Sequence, residues 1–443
     1  MFLKAILLCN IVICASALQK RDFPPGFKFG AATAAYQVEG AWNISDKSPS
    51  VWDEFVHKTP YKVKDFSNAD VACDSYTNWK RDVEIAEELG LHYYRFSISW
   101  TRLMPTGFPN YISEDGREYY NNLIDALLAK NIQPFITLYH WDLPQSLQDL
   151  GGWANPLVID WFGDYARVVF SLYADRVQNW LTVNEPSIFC GFSYNSGTHA
   201  PGIVSKGVGS HICNKNVLLA HARAWRIYDE EFKPIYHGRV SFAHSHIWLQ
   251  GMNKEDENTA EFARDVLYGL YTYPIYSKSG GWPPAVEKYM KKLSVKENRT
   301  KSRLPELSKE EIDFIRGTYD FYGINFYTSR EVRRLEDGET INWPMEGSTD
   351  YNFTFGINPK WEHGSEWFYV YPEAIRLLLN YVKNMYGDVE IVITENGFGG
   401  SESSLEDYDR INYYEKHLEQ IKIRTLPSRF QGPQPSATSS SLG

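Results

Sequence analysis

Two carboxylates in this 443-residue sequence each close an apolar run and open a turn. Glu185 stands in "LTVNEPS", directly before Pro186, and Glu395 stands in "IVITENGFGG", directly before Asn396 and Gly397. Either motif alone reads as an ordinary turn, because Asn, Pro and Gly all favour turn geometry. Two of them, each ending a strongly apolar strand, point instead to a pair of acids facing one bond. Hydrolysis of a glycoside needs such a pair: one acid protonates the leaving oxygen, and the other serves as base or nucleophile at the anomeric carbon.

Further polar residues fall at the ends of apolar runs: Arg95 and Ser97, His140, Asn184 and Asn325. In "LHYYRFSIS", Arg95 alternates with Leu91, Tyr93 and Ser97, opposite Phe96 and Ile98. If that face lines a barrel, the guanidinium is buried and has to meet a carboxylate. An exposed Arg at a strand end fits the same letters equally well. His244 and His246 share one strand face, but no third ligand is spaced near them, so they read as structural or sugar-facing rather than as a metal site. The sequence has no Gly-x-Ser-x-Gly elbow, Walker loop, dinucleotide glycine fingerprint or Cys-x-x-Cys pair. No metal and no organic cofactor are expected.

Helices alternating with apolar strands have to position these residues. "WKRDVEIAEELG" places Val83, Ala86 and Leu89 on one face and stops at Gly90, ahead of "LHYYRFSISW". "NLIDALLAK" precedes "NIQPFITLYH". "YPEAIRLLLNYVKNMYG" puts Ile375, Leu378, Leu379, Val382 and Tyr386 on one stripe before "DVEIVITENG". Strands apolar on both faces and alternating with amphipathic helices form a parallel sheet covered by helices. The strand candidates are "FKFGAATA", "LHYYRFSIS", "IQPFITLY", "VQNWLTVN", "RVSFAHSHIW", "YDFYGINFY" and "EIVITEN", one short of the eight that close a (β/α)8 barrel. An eighth is expected after "DYDRINYYEKHLEQIK", where the sequence turns instead to Pro, Gln, Ser and Gly.

Composition bounds the remaining readings. With 43% hydrophobic and 15% aromatic residues the chain is not disordered. A formal net charge of -10, without a Lys/Arg cluster beyond short helical stretches such as Lys291-Lys292, argues against nucleic acid or an anionic membrane as partner. Residues 1–17 read as a secretory signal peptide with cleavage after Ala17, which predicts a secreted protein whose barrel spans 18–423 and whose low-complexity tail spans 424–443. Cys73, Cys190 and Cys213 then remain, an odd number that leaves at least one thiol outside any intrachain pair; which two pair is open. In that compartment Asn43, Asn298 and Asn352 head glycosylation sequons. The sequence specifies no oligomeric state.

The blocks "FKFGAATAAYQVEGAW", "YRFSISWTR", "YHWDLPQSL", "LTVNEP", "DFYGINFYT", "YVYPEAIRLLL" and "ITENG", in that order, resemble glycoside hydrolase family 1, the family of β-glucosidases and related enzymes. The resemblance runs from about Phe23 to about Leu418. It implies a TIM barrel and a retaining β-glycosidase acting on small β-glucosides through a covalent glycosyl-enzyme. Glu185 matches the family's acid/base and Glu395 its nucleophile, with Arg95 and Tyr327 positioning and charge-stabilising the latter. Gln37, His140 and Asn184 match glycone contacts, with Asn325 grouped among the substrate-binding residues, and Trp367 matches an aromatic wall of the aglycone site. Plant thioglucosidases of the family carry Gln at the acid/base position; Glu185 therefore implies O-glycosides first, with glucosinolates as the alternative. Family members continue into an eighth strand and a last helix that this sequence does not resemble. The implied consequence is an incomplete barrel, and with it the second alternative of an impaired isoform limited to sugar binding.

Overall fold

The computed structural model describes residues 23–339, 341, 347–365, 367–400 and 406–425. The expected signal peptide and the tail beyond residue 425 lie outside them. Among the described residues seven strands form the barrel wall: β1 Gly30–Ala32, β2 Tyr93–Ser97, β3 Gln133–Tyr139, β4 Asn179–Asn184, β5 Arg239–Gly251, β6 Tyr322–Arg334 and β7 Ile391–Asn396. Each pairs in parallel with the next in chain order, and β7 pairs with β6. Parallel neighbours require crossovers, which here are helical. These include α1 Ser75–Glu88, α2 Glu114–Ala129, α3 Val158–Tyr173, α4 Gly209–Ile227 and α5 Glu373–Tyr386, and α6 Tyr408–Thr425 follows β7.

The helices form where the apolar period is 3.6 residues, and each buries that stripe on the sheet. In α3 the residues Phe162, Tyr165, Ala166, Val169, Phe170 and Tyr173 are buried, while Asp164 and Arg167 pair on the outside. The Ser113 hydroxyl caps α2 by accepting from the Gly116 amide, which satisfies one donor left over at the helix start. In α1 Val83 and Ala86 are buried as expected, but Leu89, beyond the last helical residue, is exposed. The fold is α/β, with every residue of β4 buried, as suits a strand covered on both faces.

β1 and β7 differ from the inner strands. The segment expected as a strand over "FKFGAATA" narrows to three residues, all exposed, and β7 is mostly half-buried. Among the described residues β1 pairs only with β2, and β7 only with β6. At its far end β6 leaves the barrel and pairs antiparallel with Phe353–Gly356, which in turn pairs with Gly347–Ser348.

The cysteine question resolves to a Cys190–Cys213 disulfide, with Cys73 an exposed free thiol. His244 and His246 turn out structural: they pack among Phe242, Tyr268, Tyr276 and Tyr322, and His246 Nε2 lies 3.0 Å from the Tyr322 hydroxyl. Among the described residues no group of three His, Cys, Asp or Glu side chains could hold a metal ion. None of the described helices is long and apolar enough to cross a membrane.

Candidate active site

Both carboxylates sit where strand pairing is irregular. β4 matches Leu181 to Ser241 but Asn184 to Ala243, one extra residue on the β4 side. β7 matches Ile393 to Ile324 and Glu395 to Asn325, again with one extra residue on its own strand. A one-residue bulge re-aims the side chain that follows it. Glu185 is turned further by its backbone, which adopts the left-handed region at φ 47°, ψ 59°, uncommon for a residue with a Cβ. Pro186 then fills the first position of the helix Pro186–Ser193, where its missing N–H costs nothing.

Arg95 joins the two sides of the site. It is 3% exposed, so its charge has to be matched locally. Nη1 donates to Glu395 Oε1 at 2.7 Å and to the Thr394 carbonyl at 3.0 Å. Nη2 donates to Asn184 Oδ1 at 2.7 Å, and Nε to Thr137 Oγ1 at 3.0 Å. The Tyr327 hydroxyl donates to the other oxygen of Glu395 at 2.7 Å. Arg95 is therefore the buried residue that the strand pattern allowed, and the exposed alternative is excluded.

Asn184 and Asn325 bridge the floor. Asn325 Nδ2 donates to Asn184 Oδ1 at 3.0 Å, and its carbonyl oxygen accepts from Thr394 Oγ1 at 2.6 Å. Asn184 Nδ2 lies 3.0 Å from His140 Nε2. An amide N–H can only donate, so Nε2 is the acceptor and the neutral ring carries its proton on Nδ1. Burial above all keeps this ring neutral, lowering its pKa to about 4, and Nδ1–H has no protein partner. His140 thus presents a donor without an acceptor, which a hydroxyl of a bound molecule would satisfy.

The two acids are chemically identical and electrostatically opposite. Burial, then the charge of Glu395, pushes Glu185 up to about 8, against hydrogen bonds from Asn325 and Ser245 and the pull of Arg95. Burial also opposes ionisation of Glu395, but the Arg95 charge and the Tyr327 and Arg95 hydrogen bonds outweigh it and hold the group below the usual carboxylate range. At neutral pH this leaves one protonated acid and one carboxylate in the same cleft. The Tyr327 phenol is pushed well up by burial and by both acids, so it remains a donor.

Two sequence-predicted contacts lie at the rim. Gln37 is exposed in the one-turn helix Ala35–Val38 that follows β1. A buried pair behind it anchors this turn: Arg102 Nε meets Glu39 Oε2 at 2.9 Å, and the Tyr120 hydroxyl donates to Glu39 Oε1 at 2.6 Å. Trp367 is 40% exposed, with its ring 6.3 Å from that of Tyr327. Its carbonyl accepts from Arg330 Nη2 at 2.6 Å. Sequence reasoning missed Thr137, Thr394 and Ser245, whose hydroxyls support the network. It also missed Trp141, whose indole N–H donates to the Asn184 carbonyl at 2.8 Å. A hydroxyl inside an otherwise apolar strand, as in "QPFITLY" and "EIVITEN", was the available signal.

The chain is similar to known proteins along most of its length. "Myrosinase 1" of Brevicoryne brassicae is 41% identical over 401 residues, covering 89% of this chain and 84% of the relative. The "Cytosolic beta-glucosidase" of Homo sapiens is 38% identical over 403 residues, covering 90% and 85%. A solved rice β-glucosidase in a covalent complex with glucose superposes with a TM-score of 0.83 at 33% identity, covering 92% of this chain and 88% of that one. With the profile described as "Glycosyl hydrolase family 1" matching residues 19–426, the chain belongs to that family.

Proposed function

We propose that the chain is a retaining β-glucosidase that hydrolyses terminal β-D-glucosides in two displacements. Glu395, ionised and aimed by Arg95 and Tyr327, attacks the anomeric carbon. Glu185 gives its proton to the glycosidic oxygen, and the aglycone leaves as an alcohol. Glu185, now a carboxylate, takes a proton from water, whose oxygen attacks the same carbon and releases Glu395. His140 Nδ1–H, the remaining N–H of Asn184, and Gln37 contact the glycone hydroxyls, and Trp367 walls the aglycone. Asn325 spends both ends of its amide on the protein and acts by positioning Asn184 and Glu185. The observation that carries this reading is the split of one acid pair into a proton donor and an anion sharing a single hydrogen-bond network.

Hydrolysis of 4-nitrophenyl β-D-glucoside by the purified chain tests it. Activity is expected, and loss of that activity in Glu395→Gln is expected with it; activity that survives the substitution would move the nucleophile elsewhere. The same assay run on a glucosinolate tests the second reading, thioglucoside hydrolysis, which the likeness to the Brevicoryne brassicae myrosinase keeps open. Soluble, folded protein without hydrolysis of either substrate would support the impaired, sugar-binding alternative.

Secretion belongs to the same proposal. It is supported by the apolar leader ending in Ala15-Ser16-Ala17, by the Cys190–Cys213 disulfide, which suits an oxidising compartment, and by the exposure of Asn43 and Asn298 at two sequons. Expression in a secretory eukaryotic host should deliver protein to the medium beginning at Leu18. Retention in the cytosol with an intact leader would refute it.

A further inference from the structure

Next to Trp367 stands a buried charge with no carboxylate to meet it. The buried Arg95 and Arg102 pair with Glu395 and Glu39. Arg330 is 7% exposed as well, yet among the described residues it forms no ion pair. Burial draws its pKa down to about 10, against the pull of the Tyr369 phenol. An unpaired guanidinium inside a protein is costly, and an apolar side chain of similar length would avoid that cost. Bonds that only a guanidinium makes have to offset it.

Those bonds form a clamp. Arg330 Nη1 donates to Thr328 Oγ1 at 3.0 Å and to the Ser329 carbonyl at 2.8 Å, while Nη2 donates to the Trp367 carbonyl at 2.6 Å. The guanidinium also lies over the Tyr369 ring, 4.5 Å from its centroid. Thr328 Oγ1 accepts in addition from the Tyr369 amide at 2.9 Å, so both ends of the stretch 367–369 are fastened to β6. β6 is irregular at this point: Phe326 pairs with His246 but Ser329 with Trp248, one extra residue on the β6 side. Tyr327, which donates to the nucleophile Glu395, lies within that irregularity. One short stretch of β6 therefore grips Glu395 through Tyr327 and Trp367 through Thr328 and Arg330. The Trp367 ring packs on Phe368 at 4.3 Å and is otherwise open, so its direction follows from where its backbone is held. A lysine ammonium, a single point charge, lacks the planar fork that reaches two segments at once.

We propose that Arg330 is a positioning residue for aglycone selection: by clamping the Trp367 carbonyl to the Tyr327–Arg330 stretch, it fixes the Trp367 wall relative to the nucleophile. The proposal rests on the glucosidase reading with Trp367 as the aglycone wall. Arg330 touches no reacting atom in it and acts only through Trp367, and that dependence is what a test can isolate.

With 4-nitrophenyl β-D-glucoside, Arg330→Met should lower kcat/KM by about tenfold, and through KM. β-D-Glucosyl fluoride, whose leaving group is too small to reach a wall, should change by less than about twofold. In a Trp367→Ala background the same substitution should cost less than about twofold on the aryl glucoside, because the group it positions is already gone. Equal loss on both substrates, no loss on either, or losses that add in the double variant overturn the proposal. Arg330→Gln takes the place of Arg330→Met if the latter does not fold. If the unsubstituted chain hydrolyses neither substrate, the glucosidase reading fails and amide exchange decides on the clamp alone. Exchange at residues 367–370 about tenfold faster in the variant, with β4 unchanged, supports it. Unchanged exchange there, or faster exchange throughout the chain, refutes it.

Discussion

Glu185 and Glu395 divide their labour through surroundings, not identity. Glu395 has a guanidinium and a phenol on its two oxygens, whereas Glu185 has burial and the Glu395 charge against it. Activity requires Glu185 protonated and Glu395 ionised, so kcat/KM should follow a bell in pH. Its alkaline limb should lie near about 8 and its acid limb below the ordinary carboxylate range. Glu185→Gln should erase the alkaline limb and cost about 10²–10⁴-fold on substrates with poor leaving groups. A limb that persists in this variant would assign it to another group. The same shift bears on stability. Between the ordinary value of 4.5 and about 8, the unfolded chain loses the Glu185 proton while the folded chain keeps it, so this residue's contribution falls as pH rises through that window. Thermal midpoints of Glu185→Gln should gain on the parent as pH rises across it, and a constant difference would contradict the assignment.

At the scale of elements, two bulges and one disulfide set the geometry. The bulges in β4 and β7 turn Glu185 and Glu395 out of strict alternation, which is why strand periodicity alone places neither carboxyl. The Cys190–Cys213 bond staples the helix that starts beside Glu185 to α4, across a sequence separation of 23. Closing a loop of that size constrains the unfolded chain, and its removal as Cys190→Ser with Cys213→Ser should cost about 2–4 kcal/mol. Chemical denaturation would measure that loss. A stability loss near zero would mean that packing alone holds the two helices together.

For the molecule as a whole, protection is uneven around the barrel. β3 and β4 each have two strand neighbours and are almost wholly buried, whereas β1 is exposed and β7 has one neighbour among the described residues. Amide exchange in the 443-residue chain should therefore rank β3 and β4 slowest and β1 and β7 fastest of the seven. Equal protection around the barrel would mean that the β1 and β7 edges are covered in solution. Glu395 stands on β7, so mobility there reaches the nucleophile directly, and displacement by about an ångström can cost on the order of a hundredfold in rate. Arg95 counteracts this by tying Glu395 and the Thr394 carbonyl to β2.

Much of this was written in the chain itself. Alternating helix and strand patterns, each bounded by Gly or a polar break, specify a parallel α/β architecture, because period and punctuation are local properties. The acids after "LTVN" and "IVIT" are legible for the same reason, though only as a pair, since either motif alone reads as a turn. What only the tertiary structure decided depends on distant pairs. Whether Arg95 is buried turns on residues 89 and 300 positions away, Asn184 and Glu395. The partner of Cys190 was one of two, and proximity chose Cys213. His244 and His246 became core rings because four aromatic side chains from three segments close around them. Local chemistry is inherited from the letters, but burial and charge pairing, and with them the protonation of each acid, belong to the assembled fold.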